Sequence, residues 1–180
     1  MADKIQFISK DLTDAVKTAI NMEDEGYALY IEAAGRSKNA LGRSTLRAIA
    51  EKELLHKKAI ENFYNKLTGL PAEALSLNDE TPWSAGLKKE VLSGIRDSLA
   101  AASAEEDLTR AYRISMELER KGYEFYKKIA SSTDNADAKK LFDFLASEEN
   151  LHYEILEETL QYLSNPAEWF HKEEKWLVEG

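Results

Sequence analysis

Two short patterns of the same chemistry stand far apart in the chain: Glu53-Leu54-Leu55-His56 and Glu149-Asn150-Leu151-His152, a displacement of 149 − 53 = 96 residues. Three residues along an α-helix is about 300° of rotation, so the carboxylate and imidazole of each pair leave one face of a helix. That is how a helix offers two ligands to one metal site. The same displacement carries Glu23 onto Glu119, Gly26 onto Gly122, Tyr27 onto Tyr123 and Tyr30 onto Tyr126. The chain is a tandem repeat, and each half runs Glu, then Glu-x-x-His thirty residues later.

Four carboxylates and two imidazoles brought to one centre match the donor set of di-iron and di-manganese bundles. In those bundles two helices supply one Glu each and two supply a Glu-x-x-His. On that pattern Glu53 and Glu149 bridge two metals, Glu23 with His56 and Glu119 with His152 close the ends, and the pairing of each His with its end is open. Four buried carboxylates repel one another and hold protons until cations replace them. Two divalent ions balance their charge. Oxygen and nitrogen donors without sulfur favour iron or manganese, with zinc a further occupant.

The elements that carry these residues follow from periodicity. Only 8 Gly and 3 Pro in 180 residues, against many Ala, Leu, Glu and Lys, favour long helices and an all-α fold. A first helix is predicted over about 12–36, capped by Asp11 to Asp14, with Val16, Ile20, Glu23, Tyr27, Tyr30 and Ala34 inward. Residues 36–43 read as a turn that makes the next helix antiparallel. The second helix, 44–68, sets Leu46, Ile49, Glu53, His56, Ile60, Phe63 and Leu67 on a heptad seam, so two ligands stand where core leucines belong. Charge there costs several kcal/mol unless a partner offsets it.

Residues 69–102 interrupt the repeat. Leu87, Val91, Ile95 and Leu99 predict one short amphipathic helix within a crossover long enough to start the third helix parallel to the second. Ser103-Ala104-Glu105-Glu106 reads as a capping box for that third helix, whose stripe is Tyr112, Met116, Glu119, Tyr123, Tyr126 and Ala130. After a turn at Ser131 to Asn135, the fourth helix places Phe142, Leu145, Glu149, His152, Leu156, Thr159 and Leu163 inward and stops at Asn165-Pro166. The aromatic tail around Trp169 and Trp176 is expected to pack on the bundle or on a second subunit. The whole chain, 1–180, is read as one domain: repeat one 11–67, crossover 69–102, repeat two 107–163, tail 165–180.

The charge balance of −9 argues against nucleic acid or anionic membrane as partner. No cysteine is present, which excludes disulfides, thiolate zinc, iron–sulfur and rubredoxin-type iron within the chain. No basic start followed by an apolar run, and no stretch of about 18 apolar residues, is found, so a cytoplasmic location is expected. Tyr30 and Tyr126, two turns beyond Glu23 and Glu119, are placed to orient ligand carboxylates by hydrogen bonds. Tyr27 and Tyr123 read as core aromatics, and His171 as a surface histidine.

The segments Met22-Glu23-Asp24-Glu25-Gly26-Tyr27-Ala28-Leu29-Tyr30 and Leu118-Glu119-Arg120-Lys121-Gly122-Tyr123-Glu124-Phe125-Tyr126, each followed by Glu-x-x-His, resemble the rubrerythrin group of the ferritin-like superfamily. The resemblance implies a ferritin-like four-helix bundle of two helix hairpins and a non-haem site of two iron ions. It also implies reduction of hydrogen peroxide or dioxygen with electrons from an external donor protein. A homodimer or small homo-oligomer is expected. The chain departs from full-length members by lacking the cysteine-ligated rubredoxin domain, and by carrying Gly122 where they carry an extra Glu one turn past the third-helix ligand. The six-ligand set is equally that of bacterioferritin-type ferroxidase centres, and a metal-stabilised structural bundle is the third class the residues allow.

Overall fold

The structure, a computed structural model, describes residues 10–71 and 106–169. Four long helices occupy them: α1 (Lys10–Arg36), α2 (Ala40–Thr68), α3 (Glu106–Ser132) and α4 (Ala136–Ser164). The short amphipathic helix expected at 86–101, His171 and the tail from Phe170 onward lie outside the described residues, as does all of the capping box except Glu106.

Each hairpin turns more tightly than the sequence reading predicts. The second helix begins at Ala40 and not at 44, because Asn39 caps it: its Oδ1 accepts from the Gly42 N–H at 3.0 Å. Asn135, which is Asn39 displaced by 96, does the same for α4, accepting from Ala138 N–H at 2.9 Å. Such caps satisfy one orphan donor and contribute about 1 kcal/mol each. Gly42 is therefore helical and buried, and its carbonyl accepts from the Tyr112 hydroxyl at 3.1 Å. α2 ends where Gly69 takes φ 68°, a left-handed conformation suited to glycine, and its N–H donates to Asn65 O at 2.9 Å. Asn165 closes α4, and Trp169, one turn further, stands edge-on to Tyr162 at 5.4 Å.

Helix directions can be read from side-chain pairs. Along α2 the residues Lys52, His56 and Lys66 meet Glu148, Phe144 and Asp137 in falling order on α4. Along α1, Glu23 and Tyr30 meet Tyr126 and Glu119 on α3, again in falling order. Both pairs are antiparallel, as are the two hairpins, so α3 runs parallel to α2. The end of α2 and the start of α3 therefore lie at opposite ends of the bundle, about 40 Å apart at 1.5 Å per residue.

The apolar core comes in two clusters. One gathers Val16, Ile20, Ile60, Phe63, Phe142 and Leu145 with Tyr126. The other gathers Leu29, Ala34, Leu46, Ile49, Tyr112 and Leu156 with Tyr30. The charged residues of the seam lie between them, and two apolar plugs of this kind keep bulk water from both ends of a polar centre. Tyr123, expected inward, is 39% exposed. Gly122, three residues past Glu119, takes the interior side of α3, and the side chain one position on swings to the flank.

Candidate metal centre

Each of the four helices delivers its share of the centre at mid-length: Glu23 from α1, Glu53 and His56 from α2, Glu119 from α3, Glu149 and His152 from α4. All six are between 1% and 6% exposed. His56 Nδ1 lies 3.5 Å from Glu23 Oε2, 3.7 Å from Glu149 Oε1 and 3.8 Å from Glu53 Oε2. His152 Nδ1 lies 3.2 Å from Glu53 Oε1 and 3.5 Å from Glu119 Oε2. His56 thus faces Glu23, and His152 faces Glu119. The two imidazoles stack at 5.3 Å between centroids.

Donor atoms converge in three groups, each with its atoms within 4.8 Å of one another: His56–Glu148–His152, and the two inner groups Glu23–Glu53–His56–Glu149 and Glu53–Glu119–His152. Glu53 belongs to both inner groups. Glu149, expected to bridge as well, groups only with the first of these two; its Oε2 turns instead to the backbone of α3, 2.6 Å from where a Cβ on Gly122 would stand. Glu53 keeps an ordinary 3.6 Å from the corresponding position on Gly26.

Each of the six residues leaves at least one buried oxygen or nitrogen without a hydrogen-bond partner: Glu23 Oε2, Glu53 Oε1, Glu119 Oε2, Glu149 Oε1, and both nitrogens of His56 and His152. Native interiors rarely tolerate such orphans, each costing about 1–3 kcal/mol. Metal ions would satisfy them together, so the residues present fit a two-metal group.

The electrostatics agree with that fit. Burial, and then the neighbouring Glu23 charge, pushes Glu53 well above the usual carboxylate range. Burial followed by Glu119 does the same to Glu149. Glu23 behaves oppositely: burial raises it, but its neighbours Glu53, His56 and Tyr126 outweigh burial and hold it below its ordinary value. For His56 burial acts downward, yet Glu23 and Glu53 beside it win and raise the imidazole to about 10. Protons on Glu53, Glu149 and His56 therefore stand in for cations.

Two tyrosines tie the carboxylates down, and they do so across the repeat. Tyr30 Oη donates a hydrogen bond to Glu119 Oε1, and Tyr126 Oη donates one to Glu23 Oε1. Both phenols are raised well above their usual range, by burial first and then by the carboxylates they face. They are held as donors. A recess lined by Met22, Gly26, Leu118 and Gly122 opens between α1 and α3 and ends on the carboxylates, with Tyr30 and Tyr126 among its walls. Sequence reasoning did not single out Glu148, whose Oε2 lies 3.5 Å from His56 Nε2; the signal was its position four residues before His152, one turn away on the same helix.

A four-helix bundle of hairpin pairs with buried Glu and Glu-x-x-His side chains at mid-height defines the ferritin-like class. Within it, the family model described as Rubrerythrin matches residues 14–160, and the chain belongs to the rubrerythrin family. Among solved structures, a dodecameric thioferritin, the bacterioferritin-related protein from Bacteroides fragilis, is similar over 92% of this chain and 93% of its own, with 21% identity and a TM-score of 0.63. At that identity the likeness concerns the fold. No curated protein matches the chain. Among the described residues no helix is long and apolar enough to cross a membrane.

Proposed function

We propose that Glu23, Glu53, His56, Glu119, Glu149 and His152 hold two iron ions, and that the protein is a cytoplasmic non-haem di-iron oxidoreductase reducing hydrogen peroxide, or dioxygen, with electrons from a separate donor protein. Family membership supports the di-iron reading. Hard oxygen donors with two imidazoles and no thiolate suit iron and manganese, and zinc also fits such ligands.

The observation that carries the choice of substrate class is the recess between Gly26 and Gly122. It reaches the carboxylates through a gap framed by glycines and has room for about one water-sized molecule, which favours a very small oxidant over a bulky organic substrate. Bound iron would supply the redox equivalents and the Lewis acidity for breaking an O–O bond. The chain's own residues hold the oxidant's path: Tyr30 and Tyr126 fix Glu119 and Glu23 on either side of it, and the two apolar clusters keep water away. These 180 residues contain no cysteine, and the proposed electron source is a separate donor protein.

A second reading, iron oxidation for storage of the bacterioferritin type, is favoured by the fold neighbour, a thioferritin described as dodecameric. It would require a larger assembly than the homodimer or small homo-oligomer we propose here. Stopped-flow oxidation of the anaerobic, ferrous-loaded protein by peroxide and by dioxygen separates the readings, with Glu53→Ala as the blank. Peroxide reacting much faster, and stopping at two irons per chain, is the expected result. Equal reaction with dioxygen and continued iron uptake would move the conclusion to storage, and no rate above the blank would leave a metal-stabilised structural bundle.

A further inference from the structure

The repeat that builds the centre breaks beside it. Displacement by 96 carries Lys52 onto Glu148, so the residue before each buried Glu, four before each His, is a cation in one half and an anion in the other. Four residues is about one helical turn, which brings both side chains to the outer edge of the stacked imidazoles on the α2–α4 face. There Glu148 Oε2 lies 3.5 Å from His56 Nε2 and 3.9 Å from Lys52 Nζ. Glu148 is 20% exposed at its side chain, whereas Lys52 reaches outward at 53%.

The imidazole edges matter because the two nitrogens of each ring do different work. Both Nδ1 atoms turn inward to the ligand carboxylates. An imidazole that gives its Nδ1 lone pair to a metal carries its proton on Nε2, and an acceptor there fixes that tautomer and strengthens the ring as a ligand. His56 has a carboxylate oxygen at the right edge, a fraction of an ångström from hydrogen-bond distance. Neither ring completes a hydrogen bond at Nε2 among the described residues; Glu148 groups with both rings and stands 3.5 Å from His56 Nε2. At the position on α2 that corresponds to Glu148 the repeat has Lys52, whose ammonium donates and cannot accept.

We propose that Glu148 is a positioning residue for His56, and that the Lys52/Glu148 pair makes the two halves of the centre unequal, so that the metal on the His56 side binds first and more tightly. The inference rests on the two-metal reading given above. An independent observation points the same way. Within the centre three carboxylates, Glu23, Glu53 and Glu149, group with His56 and two, Glu53 and Glu119, with His152, as Glu149 skirts Gly122; Glu148 at the outer edge groups with both imidazoles.

Anaerobic titration of the metal-free full chain with Co2+, followed by calorimetry and by the visible spectrum, tests this. Two equivalents bind, the first more tightly. Glu148→Gln lowers the higher affinity by about ten- to a hundredfold, the usual cost of losing such a partner, and leaves the lower one in place. Lys52→Glu, which offers His152 the missing carboxylate, raises the lower affinity. In the NMR spectrum one hyperfine-shifted, exchangeable imidazole N–H resonance grows in with the first equivalent and a second only with the next; Glu148→Gln broadens the first by exchange with solvent. Two equal affinities in the unmodified protein overturn the inequality but leave a two-metal centre standing, whereas no bound Co2+ overturns both. Unchanged affinities in Glu148→Gln overturn the positioning role. A third equivalent that disappears in Glu148→Gln would make Glu148 a metal ligand and overturn it too.

Discussion

Gly26 and Gly122 are related by the repeat, yet the same substitution at each is expected to have opposite consequences. A methyl group on Gly26 would meet Glu53 at 3.6 Å, ordinary van der Waals contact. Replacing glycine by alanine inside a helix then gains about 0.5–1 kcal/mol, or roughly 1–4 °C in Tm for a chain of this size. On Gly122 the methyl carbon would stand 2.6 Å from Glu149 Oε2 and 3.1 Å from its Cδ, so the carboxylate must leave its place. The propensity gain is cancelled by overpacking of about 1–3 kcal/mol.

Metal separates the two variants further. At a free metal concentration of about 100 Kd the unmodified protein gains about 2.7 kcal/mol, a Tm rise of roughly 5–11 °C. If displacement of Glu149 weakens binding about a hundredfold, the metal stands at its Kd and the gain falls to RT ln 2, about 0.4 kcal/mol or 1–2 °C. Calorimetric melting of the unmodified protein, Gly26→Ala and Gly122→Ala, with and without Mn2+, reads all three numbers. Gly26→Ala should keep the full metal-induced rise, while its methyl group fills part of the recess and slows reaction with peroxide at unchanged metal content. An undiminished rise in Gly122→Ala, or its loss in Gly26→Ala, would refute the steric assignment.

The other expectations concern the carboxylates themselves. Tyr30→Phe and Tyr126→Phe each strip a buried carboxylate of its donor and should cost about 1.5–3 kcal/mol in urea denaturation of the metal-free protein; an unmoved midpoint would count against the cross-repeat bonds. Glu53→Gln replaces a carboxyl that burial holds protonated by a neutral isostere, so the metal-free Tm should stay or rise while the metal-induced rise vanishes. A metal-free Tm well below the unmodified one would mean that Glu53 is charged there. The pH dependence has a definite sign. His56 is raised from 6.5 to about 10, so its contribution to metal-free stability is complete below pH 6.5 and is lost as pH climbs through about 10. Divalent-metal affinity, which needs those protons gone, should increase over the same interval; titrations at a series of pH values check both slopes.

Periodicity and repetition make much of this architecture legible in the sequence. Seams at three-and-four spacing assign residues to helix faces, and the displacement of 96 shows that the halves are alike, so four helices and six inward polar residues could be read directly. What spacing cannot report is which neighbour a face meets. The phenols of Tyr30 and Tyr126 reach the carboxylates of the opposite repeat, a pairing that exists only once α1 and α3 run antiparallel. The caps at Asn39 and its mate Asn135 go unread because the polar run from Arg36 to Arg43 resembles a longer loop by composition alone. Glu148 escaped notice for a related reason: a Glu beside a Glu on a charged helix looks like solvated surface until His56 of another helix is found against it.

The α1–α3 seam unites access and order. It reads as three rungs: Glu23 with Tyr126, Gly26 beside Gly122, and Tyr30 with Glu119. The outer rungs are hydrogen bonds from neutral donors to buried carboxylates, strong because water is absent. The middle rung has no side chain at all, and there the recess opens onto Glu53 and Glu149. Widening the gap by loosening the tyrosines would free the carboxylates, and filling it with larger residues would close the path to them. A rigid frame around a side-chain-free rung meets both demands, which is why the tyrosines and the glycines recur together in each half of the chain.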